Sequence, residues 1–268
     1  MFLQKNKIYY EYLNKNSKKD ILVFVHGLGV NWTVWKYQIE HFKALNYPVL
    51  YLDLRGHGKS EALKETSNYQ LENFAKDIND ILVKEKINKK IVLIGYSLGG
   101  MISLVFYRLF KDKVKKLVLL TTTYKNPVKT SRIKVSRFLM KAINMTILRL
   151  ISKLSIKKTN NKEFDFTKLE YHPNAITAIM GLSETSTRIQ LMCLRNMMRF
   201  NEFNTLKTIN VPALIISARL DEFFPAEVAK TMHKYIKNSK LKVLTGTHAI
   251  VFKRPEIITK EISEFIKQ

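Results

Sequence analysis

The chain has 268 residues, 46% of them apolar, which is long enough for one sizeable hydrophobic core, and its alternating strand and helix patterns favour one α/β domain. Its 46 Lys plus Arg against 22 Asp plus Glu give a formal charge of +24, which attracts anionic partners, yet no zinc-finger spacing, RNP-type run or long basic tail points to specific nucleic-acid binding. Cys193 is the single cysteine, which excludes an intramolecular disulfide, and residues 1–8 lack the apolar run of a secretory signal, so a cytoplasmic address is expected.

Aromatic-rich residues 7–13 read as a strand, and the continuous apolar run 21–25 as a strand buried on both faces. A helix is expected over 32–45, a strand over 49–52, an amphipathic helix over 71–86, a strand over 91–94, a helix over 98–110 and a strand over 114–121. Residues 91–107 carry no charge, but Gly95, Gly99 and Gly100 break that run, so it reads as a buried strand and helix rather than a membrane span. The series is βαβ, which implies a mostly parallel sheet with helices on both faces.

From Tyr124 to Phe203 helical patterns follow one another without a strand, so residues 124–203 read as an insertion between core segments 1–123 and 204–268. The alternation resumes with a strand over 213–216, a helix near 226–236, a strand over 241–244 and a closing helix from Pro255, where proline suits the first helical turn. Cys193 falls in a helical run with Ile189, Met192, Asn196, Met197 and Phe200. That run reads as core packing, with an apolar acyl pocket as the sharper alternative.

Seven of the nine glycines fall in three clusters, each just after an expected strand: Gly27 and Gly29, Gly56 and Gly58, then Gly95, Gly99 and Gly100. In an open parallel sheet ligands bind at the carboxyl ends of strands, so these loops converge on one rim. The third cluster frames Gly95-Tyr96-Ser97-Leu98-Gly99, a Gly-x-Ser-x-Gly pattern. Between a strand and an apolar helix, that pattern fits a nucleophile elbow, a strained turn that exposes the serine hydroxyl at a helix N-terminus.

A serine hydroxyl needs a base, usually an imidazole oriented by a carboxylate. His41 and His233 lie in amphipathic helices, His172 in the insertion, and His26 and His57 in glycine loops ahead of the serine. His248, in Thr245-Gly246-Thr247-His248, follows a strand and can reach the rim. Of the aspartates between Ser97 and His248 (Asp112, Asp165 and Asp221), Asp221 follows a buried-looking strand; Asp165 with His172 is the fallback pair. The amides of Leu98, which starts the helix, and of Leu28, in the first glycine loop, are the expected oxyanion donors.

Taken together these residues resemble the α/β-hydrolase superfamily, in particular its small carboxylesterases, monoacylglycerol lipases and thioesterases. The resemblance rests on His26-Gly27-Leu28-Gly29 with Trp35, Asp53-Leu54-Arg55-Gly56-His57-Gly58-Lys59-Ser60, the Ser97 pentapeptide, Asp221-Glu222-Phe223-Phe224-Pro225, and His248 with Pro255. It covers nearly the whole chain. It implies Ser97 as nucleophile, Asp221 as acid, His248 as base and the Leu28 and Leu98 amides as oxyanion donors, with no metal and no cofactor. It implies an architectural role for Arg55 and His57. Two positions depart from the pattern: Ala218 stands where glycine is frequent before the acid, and Lys253 where glutamate is frequent after the histidine.

The resemblance also makes 124–203 a helical cap over the pocket. From Lys125 to Lys168 twelve Lys or Arg face Glu163 and Asp165 alone, and Val135, Phe138, Leu139, Ile143, Ile147 and Leu154 recur at helical spacing. Such a helix packs its apolar stripe on the core, or associates weakly with an anionic membrane surface. The expected activity is cleavage of a small or acyl-chain carboxylic ester or thioester. Hydrolysis of a carbon–carbon bond or a lactone by the same triad, or a receptor-like module with negligible turnover, are the alternatives. Nothing in the sequence fixes the oligomeric state.

Overall fold

The computed structural model describes residues 1–3, 7–130 and 185–268. They form an eight-stranded sheet in the order β1-β2-β4-β3-β5-β6-β7-β8, with β1 (Phe2–Leu3) and β2 (Ile8–Leu13) antiparallel at one end. The other six strands are parallel: β3 (Ile21–Val25), β4 (Val49–Leu52), β5 (Ile91–Tyr96), β6 (Val114–Leu120), β7 (Ala213–Ala218) and β8 (Ser239–Leu244). The fold is the expected α/β architecture.

The strands from β3 to β7 are Ile, Leu and Val runs because both of their faces are covered, which leaves no solvated side to be polar. On β3, Val23 and Val25 point into one core with α2 (Leu71–Lys84) and α3 (Leu98–Phe110), while Leu22 and Phe24 point into the other. That second core lies under α1 (Lys36–Ala44) and the C-terminal helix Pro255–Ile266, and is filled by Trp35, Phe24 and Phe42.

Boundaries differ from the sequence expectations for local reasons. The helix expected over 32–45 opens as a 3-10 turn, Trp32–Trp35, because the Asn31 side chain accepts from the Thr33 amide and fixes a tight start. The helix expected to reach residue 86 stops at Lys84, and Lys86 turns the chain with φ 54°. β5 runs two residues beyond its expected end and carries Gly95 and Tyr96 into the sheet, because Gly95 and Tyr96 pair with Leu119 and Leu120. β8 begins at Ser239, two residues early, as a half-buried edge strand whose Lys240 and Lys242 blunt further pairing.

The two ends of segment 124–203 meet. Lys125 and Asn201 form an antiparallel bridge, and the Glu202 amide donates to the Tyr124 carbonyl at 2.7 Å. Between them stand the short helix Pro127–Thr130 and α4 (Thr187–Met197). The basic amphipathic pattern over 135–154 and the Asp165–His172 pair lie outside the described residues.

Candidate functional site

β5 ends at Tyr96 and α3 begins at Leu98, so one residue, Ser97, makes the whole corner. Its backbone sits at φ 54°, ψ −116°, a conformation L-residues avoid at a cost of about 1–3 kcal/mol. The surroundings over-determine it. The Ser97 amide donates to the Leu120 carbonyl at 3.0 Å, and the Ser97 carbonyl accepts from Thr122 Oγ1 at 2.7 Å and from the Gly100 amide at 3.0 Å.

The corner also demands close approach of α3 to the sheet. A Cβ at Gly99 would stand 2.2 Å from the Val25 carbonyl oxygen, and one at Gly95 would stand 2.4 Å from the Gly99 carbonyl oxygen. Both positions therefore require glycine for space rather than for dihedral freedom.

Asp221 lies three residues beyond β7 and His248 four beyond β8, so neighbouring strands deliver both to the rim beside Ser97. His248 Nε2 is 3.0 Å from Ser97 Oγ, and His248 Nδ1 is 2.9 Å from Asp221 Oδ2. A carboxylate only accepts, so the ring proton sits on Nδ1 and the Nε2 lone pair faces the serine hydroxyl. Asp221 Oδ1 is held in turn by the amides of Phe223 and Phe224, each at 2.9 Å. All three side chains are buried.

Leu98 is the first residue of α3, where the amide has no partner within the helix and the helix dipole is positive. Gly27 packs directly on the corner: a Cβ there would be 3.1 Å from the Tyr96 ring and 3.2 Å from Ser97 Cβ. Leu28, half-buried, is the next residue of that loop. The structure thus joins Ser97, His248 and Asp221 in one hydrogen-bonded series, with Leu98 next to the serine in the chain and Leu28 next to Gly27, which packs on the corner.

Residues 20–173 match the alpha/beta hydrolase fold family. The chain belongs to that family. It is 27% identical over 271 residues to Epoxide hydrolase 4 of Homo sapiens, covering 93% of this chain and 73% of that one. The fold superposes on the esterase EaEST from Exiguobacterium antarcticum with a TM-score of 0.75 at 22% identity, covering 100% and 98% of the two chains. It superposes on MenH from S. aureus with a TM-score of 0.73 at 26% identity, covering 97% and 98%.

Within this hydrolase the other two glycine loops are tied by backbone contacts. Asp53 accepts from the Trp32 amide through Oδ1 and from the Lys59 amide through Oδ2, each at 2.9 Å, and so joins the loops after β3 and β4. His26 Nε2 accepts from the Leu54 amide at 2.9 Å while Nδ1 donates to the Gly27 carbonyl at 2.7 Å. His57 Nδ1 donates to the Arg55 carbonyl at 3.0 Å. The two rings lie 5.3 Å apart, and burial pushes His57 down to about 4 and His26 well below the usual imidazole range.

Three features of the hydrolase site were not assigned from the sequence. Tyr96, whose place was open, donates its hydroxyl to the His248 carbonyl at 3.2 Å and lays its ring 5.3 Å from the imidazole. Burial, with Asp221 nearby, raises the phenol, so it stays a neutral donor. Asp77 pairs with Arg55 in a buried fork, Nε to Oδ2 at 2.8 Å and Nη2 to Oδ1 at 2.6 Å. Its signal was visible as one carboxylate on the apolar face of α2, between Phe74 and Ile81. Thr122, which holds the Ser97 carbonyl, had no signal beyond its place after β6.

On α4, Ile189, Met192, Cys193 and Met197 are buried in the larger core, and Ile189 covers the Gly56 loop. Burial pushes the Cys193 thiol up, so it is inert packing rather than a nucleophile. Among the described residues no group of three or more His, Cys, Asp or Glu could hold a metal ion, and no helix is long and apolar enough to cross a membrane.

Proposed function

We propose that this family member is a serine hydrolase that cleaves a carboxylic ester or thioester through an acyl-enzyme on Ser97. The observation that carries the reading is the series Asp221 Oδ2 to His248 Nδ1 at 2.9 Å and His248 Nε2 to Ser97 Oγ at 3.0 Å, set on a strained corner. Ser97 Oγ attacks the carbonyl carbon as its proton passes to His248 Nε2. The oxyanion is held by the Leu28 and Leu98 amides; losing one such donor typically costs about 10²–10³ in rate. The imidazolium then protonates the leaving alcohol or thiol, and water, deprotonated by His248, releases the acid. Asp221 fixes the tautomer and faces the imidazolium.

A serine nucleophile favours acyl chemistry over the epoxide opening named for the human relative. Attack of Ser97 Oγ on an epoxide carbon would leave an ether with no carbonyl for water to attack, whereas attack on an ester leaves an ester. The corner residue therefore separates the two chemistries. Residues 124–203 are read as a cap inserted between core segments 1–123 and 204–268, supported by the Lys125–Asn201 bridge that closes its two ends. The proposed address is cytoplasmic, on the strength of the single cysteine.

The test is a substrate panel of p-nitrophenyl esters of increasing chain length, an acyl thioester and an aryl epoxide. Turnover of esters or thioesters that vanishes in Ser97→Ala supports the reading. Turnover of the epoxide alone, or ester turnover unchanged in Ser97→Ala, overturns it.

A further inference from the structure

A set of lysines stands at the end of the sheet opposite Ser97. Lys18 and Lys19 stand just ahead of β3, Lys89 and Lys90 ahead of β5, Lys111 ahead of β6 and Lys237 ahead of β8. Parallel strands put their starts on one edge, so these loops form one face, and the helices that run back to it end in Lys43, Lys84 and Lys234. Acids at this end include Glu40, paired with Lys43 at 3.5 Å. Asp20 is held by Lys115 at 2.6 Å and Glu85 by Lys15 at 2.5 Å, while Asp112 sits beside Lys111. None of Lys18, Lys89, Lys90, Lys111 or Lys237 forms an ion pair with a described residue.

Helix dipoles account for lysines in last turns, such as Lys43, Lys84 and Lys234, but not for Lys18, Lys89 and Lys90 on loops that lead into strands. The rim around Ser97 also carries cations, among them Lys59, Lys64, Lys125, Arg219 and Lys253, mixed with Glu61, Glu65 and Glu222, while Asp53 and Asp221 are buried. Strands of five to seven residues at about 3.3 Å each separate the two ends by roughly 20 Å.

We propose that this lysine face docks the protein on an anionic phospholipid surface, leaving the catalytic rim turned toward water. Two observations favour lipid over nucleic acid. The cations are lysines, flexible point charges suited to a fluid anionic surface, and Arg108, in the last turn of α3, is bound to Glu72 and Glu202 rather than offered as a phosphate fork. Apolar side chains stand exposed at the same end: Leu45 (42%) just after α1, Val83 (61%) in the last turn of α2 and Leu109 (37%) in the last turn of α3. Lysines around exposed Leu and Val suit a headgroup layer with acyl chains beneath it.

The test is vesicle co-sedimentation of the full chain at 50 mM and 500 mM salt, with phosphatidylcholine vesicles and with vesicles containing 30% phosphatidylglycerol. A face variant with Lys89, Lys90, Lys111 and Lys237 each changed to Glu is compared with a control of equal charge change, Lys36, Lys64, Lys129 and Lys230 to Glu, away from this face. Wild type and control bind the anionic vesicles at low salt and release at high salt, while the face variant loses roughly tenfold or more in affinity. Soluble ester turnover, where present, is unchanged on vesicles. Absence of binding, binding equal to wild type in the face variant, or equal loss in both variants overturns the proposal. So does tighter binding to single-stranded RNA than to vesicles at matched phosphate and salt.

Discussion

His26 and His57 on one side, and His248 on the other, are buried histidines in glycine-bearing loops at the same rim of the sheet, and their ring nitrogens meet different kinds of group. His26 is bound at both nitrogens by backbone, and His57 donates from Nδ1 to backbone while its Nε2 has no partner among the described residues. His248 is bound by a carboxylate and a hydroxyl. A ring clasped by peptide groups is fixed in one neutral tautomer with nothing to trade a proton with. A ring between Asp221 and Ser97 has a donor to deprotonate and a charge to stabilise the product. Burial alone does not mark a catalytic histidine; the chemistry of its two neighbours does.

The comparison predicts that changes around His248 cost rate and leave the fold intact, while changes around His26 and His57 cost stability and leave the rate intact. The largest effect belongs to Ser97→Ala, which should lower kcat on an accepted ester by about 10⁶ with little change in Tm. Asp221→Asn follows, with a loss of about 10⁴ in kcat, because an amide in place of the carboxylate favours the wrong His248 tautomer. Comparable kcat for that variant and wild type would remove Asp221 from the machinery.

On the structural side, Asp77→Asn strands the Arg55 guanidinium in the interior and should cost about 3–5 kcal/mol in urea unfolding, with kcat per folded molecule unchanged. A smaller cost would mean that solvent reaches the pair.

The pH dependence comes next. His57 is near 4 when folded against about 6.5 unfolded, so between those values the unfolded chain binds protons that the folded chain refuses. Its contribution is complete above pH 6.5 and is lost as pH falls toward 4, by about 3 kcal/mol. His26 acts in the same direction. Thermal melts from pH 7 to 4 should show this decline, and His57→Gln should flatten it; an equal slope in that variant would place the proton uptake elsewhere.

The smallest effect is Tyr96→Phe, which removes one hydrogen bond to the His248 carbonyl, worth about 1 kcal/mol, and should lower kcat about fivefold with KM unchanged.

Much of this was legible in the sequence because the same physics writes both patterns. Buried parallel strands must be apolar throughout, so 21–25, 91–94 and 213–216 stand out, and the loops after the first two carry glycines that close packing demands. Ser97 and Asp221 follow such strands, and His248 was picked out by its place after the half-buried edge strand β8. What sequence could not give were contacts that depend on side-chain direction. Tyr96 sits inside the pentapeptide, yet only the pairing of β5 with β6 and the course of the loop after β8 bring its hydroxyl to the His248 carbonyl. Strand ends were blurred for a similar reason: Gly95 reads as a turn in isolation but is a paired strand residue beside Leu119.

Activation of Ser97 as a nucleophile by His248 can be read by intact-mass analysis after incubation with a fluorophosphonate. A single phosphonyl adduct is expected on wild type, mapped by peptide sequencing to Ser97, absent from Ser97→Ala and much slowed in His248→Ala. An adduct on Ser97→Ala as abundant as on wild type, or none on a wild-type enzyme that turns over esters, would contradict it.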